Sequence, residues 1–102
     1  MTPTATFHAL ADPTRAAMVA QLTHGPATVG ALGAAHQLSK PAITKHVAVL
    51  DRAGLIAKER RGREVMCRLR LEPLREAEDW LHDRRAYWES ALDRLTDLVE
   101  DS

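Results

Sequence analysis

Between residues 39 and 71 the spacing of apolar side chains switches from a helical to an alternating period. That switch constrains the fold more than any other feature of the chain. Ile43, Val47 and Leu50 recur at i, i+4 and i+7, the stripe of a helix that buries one face. Ser39 stands where an N-cap belongs, Lys40 and Pro41 fill the first turn, and Gly54 occupies the place of a left-handed C-terminal cap. Leu55 to Arg61 then reads as a strand and Gly62-Arg63 as a tight turn. Beyond the turn, Val65, Cys67, Leu69 and Leu71 alternate with Met66, Arg68 and Arg70, the period-two pattern of a strand with one buried face. A helix followed at once by a hairpin with a basic tip is therefore expected.

The flanking segments read as helices. Thr4 to Leu10 forms a short one with Phe7 and Leu10 on one face. Asp12-Pro13 starts the next, with Asp as N-cap and Pro at the first helical position, and Met18, Val19 and Leu22 as its apolar face. Gly25-Pro26 ends it. Thr28 caps a helix reaching about His36, with Val29, Leu32 and Ala35 inward. Pro73 opens a last helix running to about Glu100, in which Leu74, Leu81, Trp88 and Leu95 repeat every seven residues and Ala77, Leu92 and Val99 widen the stripe. The 102 residues suit a single domain, mainly α with a small β-hairpin. Within it, 28–54 is a helix-turn-helix, 55–71 a wing hairpin, and 1–11 and 73–100 are dimerisation helices.

Charge divides along the same boundary. The chain is formally neutral, yet residues 1–71 hold ten basic and four acidic side chains, a net of +6, and residues 72–102 hold four and ten, a net of −6. Only the first part suits a polyanion. The exposed side of helix 39–53 carries Pro41, Thr44, Lys45, Ala48 and Arg52, with no large apolar residue. A helix of about 10–12 Å diameter fits the major groove, and short side chains let it approach base edges. Two short helices and a basic hairpin in this order make a winged helix-turn-helix. Its candidate contacts to double-stranded DNA are Ser39, Lys40, Pro41, Thr44, Lys45, His46 and Arg52 on the helix, and Lys58, Arg60, Arg61 and Arg63 on the wing. Most are phosphate contacts. His46 lies about 60° from the Ile43 stripe and flanks the core. Glu59 and Glu64 neutralise part of the wing.

Three stretches, ALADPTR at 9–15, LSKPAITKHVAVLDRAGLI at 38–56 and RRGREVMCRL at 60–69, resemble the ArsR/SmtB family of bacterial winged-helix repressors, in particular its metal-independent members. The resemblance covers about residues 5–99. It implies a homodimer joined by its terminal helices and an operator-bound state that blocks transcription. Carried over by position, Ser39, Lys40, Thr44, Lys45 and His46 match the recognition helix, and Arg61, Gly62 and Arg63 the wing. Thr44 replaces the commoner Ser and keeps the hydroxyl, whereas Cys67 stands where an aromatic residue is common.

The residues also point to the dimer directly. Phe7, Leu10, Leu74, Ala77, Leu81, Trp88, Leu92, Leu95 and Val99 form its candidate interface, and three of the four aromatic side chains lie on the last helix. Metal-sensing relatives place cysteines on the helix that here spans Thr28 to Ala35, which has none. Asp79 and His82, at i and i+3, are the remaining candidate ligands, so no metal and no cofactor is expected. Cys67 reads as a small buried hydrophobe rather than a redox sensor. Arg15, near a helix N-terminus where a cation is not favoured, needs a partner: a phosphate or a carboxylate of the last helix. No nucleophile-base set and no phosphate loop appears, so an enzyme is not expected. No apolar run reaches the ~20 residues that span a bilayer. With one cysteine and no signal-peptide pattern, a reducing cytoplasm is expected. The alternatives are a metal- or redox-responsive repressor of the same fold, and a winged-helix protein-interaction module.

Overall fold

The computed structural model describes residues 2–101; Met1 and Ser102, the outermost residues of the expected domain, lie outside the described residues. The described residues form α1 (Thr4–Leu10), α2 (Pro13–Leu22), β1 (Ala27–Thr28), α3 (Val29–Ala35), α4 (Lys40–Arg52), β2 (Ile56–Arg61), β3 (Glu64–Leu69), α5 (Glu72–Asp83) and α6 (Arg85–Glu100). The three strands make one antiparallel sheet in the order β1-β3-β2. Three helices start as their sequences dictate. Asp12 Oδ2 accepts the Arg15 N–H at 2.9 Å, Thr28 Oγ1 that of Ala31 at 3.0 Å, and Ser39 Oγ that of Ala42 at 3.3 Å.

The core gathers Met18, Val19 and Leu22 of α2, Leu32 of α3, Ile43, Val47 and Leu50 of α4, then Leu55, Ile56 and Cys67. Both ends of the helix-turn-helix close with the same device. After α4, Gly54 sits at φ +74°, its N–H bonded to Asp51 O, while the Leu55 N–H reaches back to Leu50 O. After α3, Gln37 takes the left-handed place at φ +54°, and the Leu38 N–H reaches Gly33 O at 2.9 Å. These are the paired bonds of a Schellman turn. Gly33 is buried beside Ile43, where an added methyl would rest in ordinary contact at 3.6 Å. In the hairpin, Gly62 at φ +64° begins the turn between β2 and β3, with no positive φ at Arg63.

Several expectations are corrected. A two-residue β1 precedes α3 and pairs Ala27 with Cys67 and Thr28 with Met66, so the wing is part of a three-stranded sheet. The alternation to Leu71 is cut at Leu69: Leu71 is half exposed at the start of α5. Ala35 faces solvent, and the buried positions of α3 are Leu32 and Gly33. In α1 the fully covered side chains are Thr6 and Ala9. The last helix is two helices, broken at Arg84 (φ −104°, ψ 7°). There the guanidinium lies 4.1 Å from the centre of the Trp80 ring and donates to Trp80 O at 3.2 Å. Among the described residues Arg15 is not held by a carboxylate of the last helix. Its Nε donates to Ala9 O at 2.8 Å and its Nη2 to His8 O at 3.2 Å, placing the cation at the carbonyl end of α1, where the helix dipole favours it.

Two outcomes follow. Replacing Gln37 with Gly relieves a left-handed residue that carries a Cβ and should raise unfolding stability by about 0.5–1 kcal/mol in urea titration. Cys67 is fully covered and burial pushes its thiol above the usual value. A thiol reagent at pH 8 should therefore leave the native protein unlabelled and modify one thiol per chain once urea unfolds it.

Candidate nucleic-acid interface

With Ile43, Val47 and Leu50 turned inward, α4 presents Ser39, Lys40, Pro41, Thr44, Lys45 and Arg52 to solvent. Thr44 Oγ1 donates to Lys40 O at 2.8 Å, which leaves its methyl and the oxygen lone pairs on the open face. The wing stands beside this face. Thr44, Val47 and Ala48 of α4, together with Lys58, Arg63 and Val65 of the hairpin, line a groove of about 500 Å³. Thr28, Val29 and Gly30 at the start of α3 and Glu64 of the hairpin complete its lining, so the groove lies between the exposed face of α4 and a wing wall of mixed charge.

Sheet register sorts the wing's charges. Cross-strand partners share a face, so Lys58 with Cys67 and Arg60 with Val65 lie on the helix side, while Glu59 with Met66 and Arg61 with Glu64 lie on the outer side. On the outer side Glu59 Oε2 stands 3.4 Å from Arg61 and 3.7 Å from Arg68, so one carboxylate offsets two guanidinium groups. On the inner side Lys58 Nζ meets Asp51 Oδ2 of α4 at 3.4 Å, with both side chains 41% exposed. This pair ties wing to helix and takes up part of the charge expected to face DNA. Both groups remain wet, so the pair itself contributes little stability. Arg60 and Arg63 are exposed and have no ion-pair partner among the described residues. The cations most open to phosphate are therefore Lys40, Lys45, Arg52, Arg60 and Arg63.

His46 departs from the rest of the recognition face. Its Nδ1 is buried without a hydrogen-bond partner among the described residues, and Asp12 Oδ2 of α2 lies 3.9 Å away. The Arg15 backbone N–H holds the Asp12 carboxyl below its usual value. Periodicity places His46 beside the core, but gives no sign of this carboxylate, which comes from another helix. The Asp51–Lys58 pair is hidden from the sequence for the same reason.

The expected interface residues divide between two environments. Ala77 is buried within the chain, Leu74 and Leu10 pack on the core, and Phe7 meets Trp80 edge to face at 5.6 Å. Leu81, Trp88, Leu92, Leu95 and Val99 are exposed, and α6 buries none of its residues. Asp79 lines a cleft with Glu76, Trp80, Asp83 and Arg84; His82 is not part of it. Among the described residues no three His, Cys, Asp or Glu side chains gather as metal ligands would, and no helix is long and apolar enough to cross a membrane.

Comparison with known proteins agrees with this geometry. The family described as "Helix-turn-helix domain" matches residues 10–59. The transcriptional repressor SdpR of Bacillus subtilis is 31% identical over 75 residues, 74% of this chain and 83% of that protein. The HTH-type transcriptional regulator Rv2034 of Mycobacterium tuberculosis is 44% identical over 54 residues, so the match spans 53% of this chain and about half, 50%, of that relative. The crystal structure of an ArsR family transcriptional regulator, RHA00566, superposes with a TM-score of 0.78 at 38% identity, covering 85% of this chain and 90% of that one. With sequence, fold and exposed cationic face in agreement, the chain belongs to the ArsR family of winged helix-turn-helix transcriptional regulators.

Proposed function

We propose that the protein is a repressor that binds a pseudo-palindromic operator in double-stranded DNA as a homodimer, in the cytoplasm. The observation that carries the DNA contact is the exposed face of α4, polar and cationic beside a wing whose Arg60 and Arg63 are unpaired among the described residues. Lys40, Lys45, Arg52, Arg60 and Arg63 neutralise phosphates, and Ser39, Pro41 and Thr44 lie where α4 meets base edges. Lys58 and Arg61 contribute less, because each already faces a carboxylate.

The homodimer rests on α6. Tyr87, Trp88, Leu92, Leu95 and Leu98 are each at least half exposed. The Cα radius of gyration is 17.7 Å, against about 13 Å for a compact domain of this length. A water-exposed amphipathic helix with no packed face is marginal by itself. Pairing with a second copy about a two-fold axis covers it, and sets two recognition helices on half-sites about one helical turn, roughly 34 Å, apart. The α5–α6 part is acidic and points away from the duplex. The metal-independent reading is supported by the cysteine-free helix Val29–Ala35.

Selection of bound fragments from the source genome by the purified protein would recover the operator and its symmetry. Replacing Lys45 and Arg63 with Ala should leave the fold and the dimer intact. Operator affinity at moderate salt should fall at least tenfold, and the salt slope should drop by about 0.9 for each phosphate no longer neutralised; an unchanged gel shift would count against this face. Replacing Trp88 and Leu95 with Glu should give a monomer in analytical ultracentrifugation and abolish cooperative operator binding. Zinc titration should leave operator affinity unchanged, and a zinc-dependent shift would instead assign Asp79 and His82 as ligands.

A further inference from the structure

The contact between Asp12 and His46 is not explained by the phosphate-binding face. The imidazole side chain is 19% exposed, with Nδ1 covered and without a hydrogen-bond partner among the described residues while a carboxylate oxygen stands 3.9 Å off. A buried ring nitrogen without a partner is costly, and the Asp12 carboxylate at 3.9 Å is an acceptor that complements its N–H. The same Asp12 oxygen accepts the Arg15 N–H at 2.9 Å, so the carboxylate is already fixed at the start of α2.

The charged surroundings of the ring are few. From α2 they are Asp12 and Arg15, and the Arg15 guanidinium is turned away onto the carbonyls of Ala9 and His8. From α1, His8 lines the adjoining groove with Arg52 of α4. On α4 itself the neighbouring positions one turn away are Ala42, Ile43, Val49 and Leu50, none titratable, and Lys45 precedes His46 on the exposed side.

We propose that Asp12 is a positioning residue for operator recognition, acting through His46: the carboxylate takes the Nδ1–H, operator binding takes up a proton at Nε2, and the protonated Nε2 donates to a DNA phosphate. A neutral imidazole has a single N–H. Once that N–H is given to Asp12, Nε2 carries a lone pair and opposes a phosphate oxygen. A proton from solvent bound at Nε2 makes both nitrogens donors and seats one cation between two anions. No bond other than N–H forms. The inference rests on α4 as the DNA-facing helix.

The test is operator affinity of the intact protein between pH 6 and 8 at constant ionic strength, for wild type, H46Q and D12N. Asn caps helices about as well as Asp, so D12N removes the charge while keeping the start of α2. Wild-type affinity should weaken about tenfold more than that of H46Q as pH rises across this range. D12N should follow H46Q, with its thermal unfolding midpoint near that of wild type. A wild-type pH slope in H46Q would overturn proton uptake at this ring. A wild-type slope in D12N alone would overturn the role of Asp12. Should H46Q fail to fold, the ring nitrogen shifts of wild-type His46 in the operator complex at pH 7 replace it: the ring should be doubly protonated there, and a singly protonated ring in the complex would overturn the proposal. Absence of operator binding by wild type at every pH would instead overturn the DNA reading itself.

Discussion

Burying Ile43, Val47 and Leu50 among Met18, Leu22 and Leu32 settles the rotation of α4 about its own axis. Each of these apolar side chains gains about 1.5–3 kcal/mol by leaving water. Turning the helix by one residue would expose that stripe and bring Thr44, Ala48 and Asp51 toward the core, where a charge without a partner is not tolerated. The polar recognition face therefore follows from the choice of residues on the opposite side. Gly54 and Gln37 then fix where α4 begins and ends relative to α3 and the wing, through paired bonds to Asp51, Leu50, Ala34 and Gly33.

The wing shows how a cationic surface is kept from repelling itself. Its outer face places Glu59 between Arg61 and Arg68, and its inner face joins Lys58 to Asp51. Arg60 and Arg63 remain open. The cations left open are those nearest the tip and the helix side, next to the groove shared with Thr44. Counting basic residues overstates the charge offered to a ligand, because strand register decides which of them meet carboxylates.

Much of this is legible in the sequence because it is local. Asp12, Thr28 and Ser39 cap helices by reaching three residues ahead, and Gly54 and Gly62 mark left-handed turns by lacking a Cβ. The stripe of α4 and the alternation of β3 are period signals, and they place the exposed polar face of α4 and the wing. What escapes is non-local or too short to have a period. Two residues of β1 carry no alternation. The heptad spacing from Leu74 to Leu95 runs through Arg84 without a Gly or Pro to mark the break. Arg15 invites a side-chain partner such as a last-helix carboxylate, whereas its acceptors are backbone carbonyls of the preceding helix, which have no letter in the sequence. Ala77 belongs to the repeat but is covered by its own chain, since α1 packs on α5 and Phe7 reaches Trp80.

The single non-helical residue between α5 and α6 has a mechanical meaning. The sixteen residues of α6 make a lever about 24 Å long at 1.5 Å per residue. A bend of about 10° at its root would carry the far tip roughly 4 Å, more than the rise of one base pair. At the root the Arg84 guanidinium lies over the Trp80 indole and donates to the Trp80 carbonyl, beside the backbone bonds that Arg84 makes to Leu81 and Trp88. In the homodimer proposed above, small adjustments of that contact would change how far apart the two recognition helices stand.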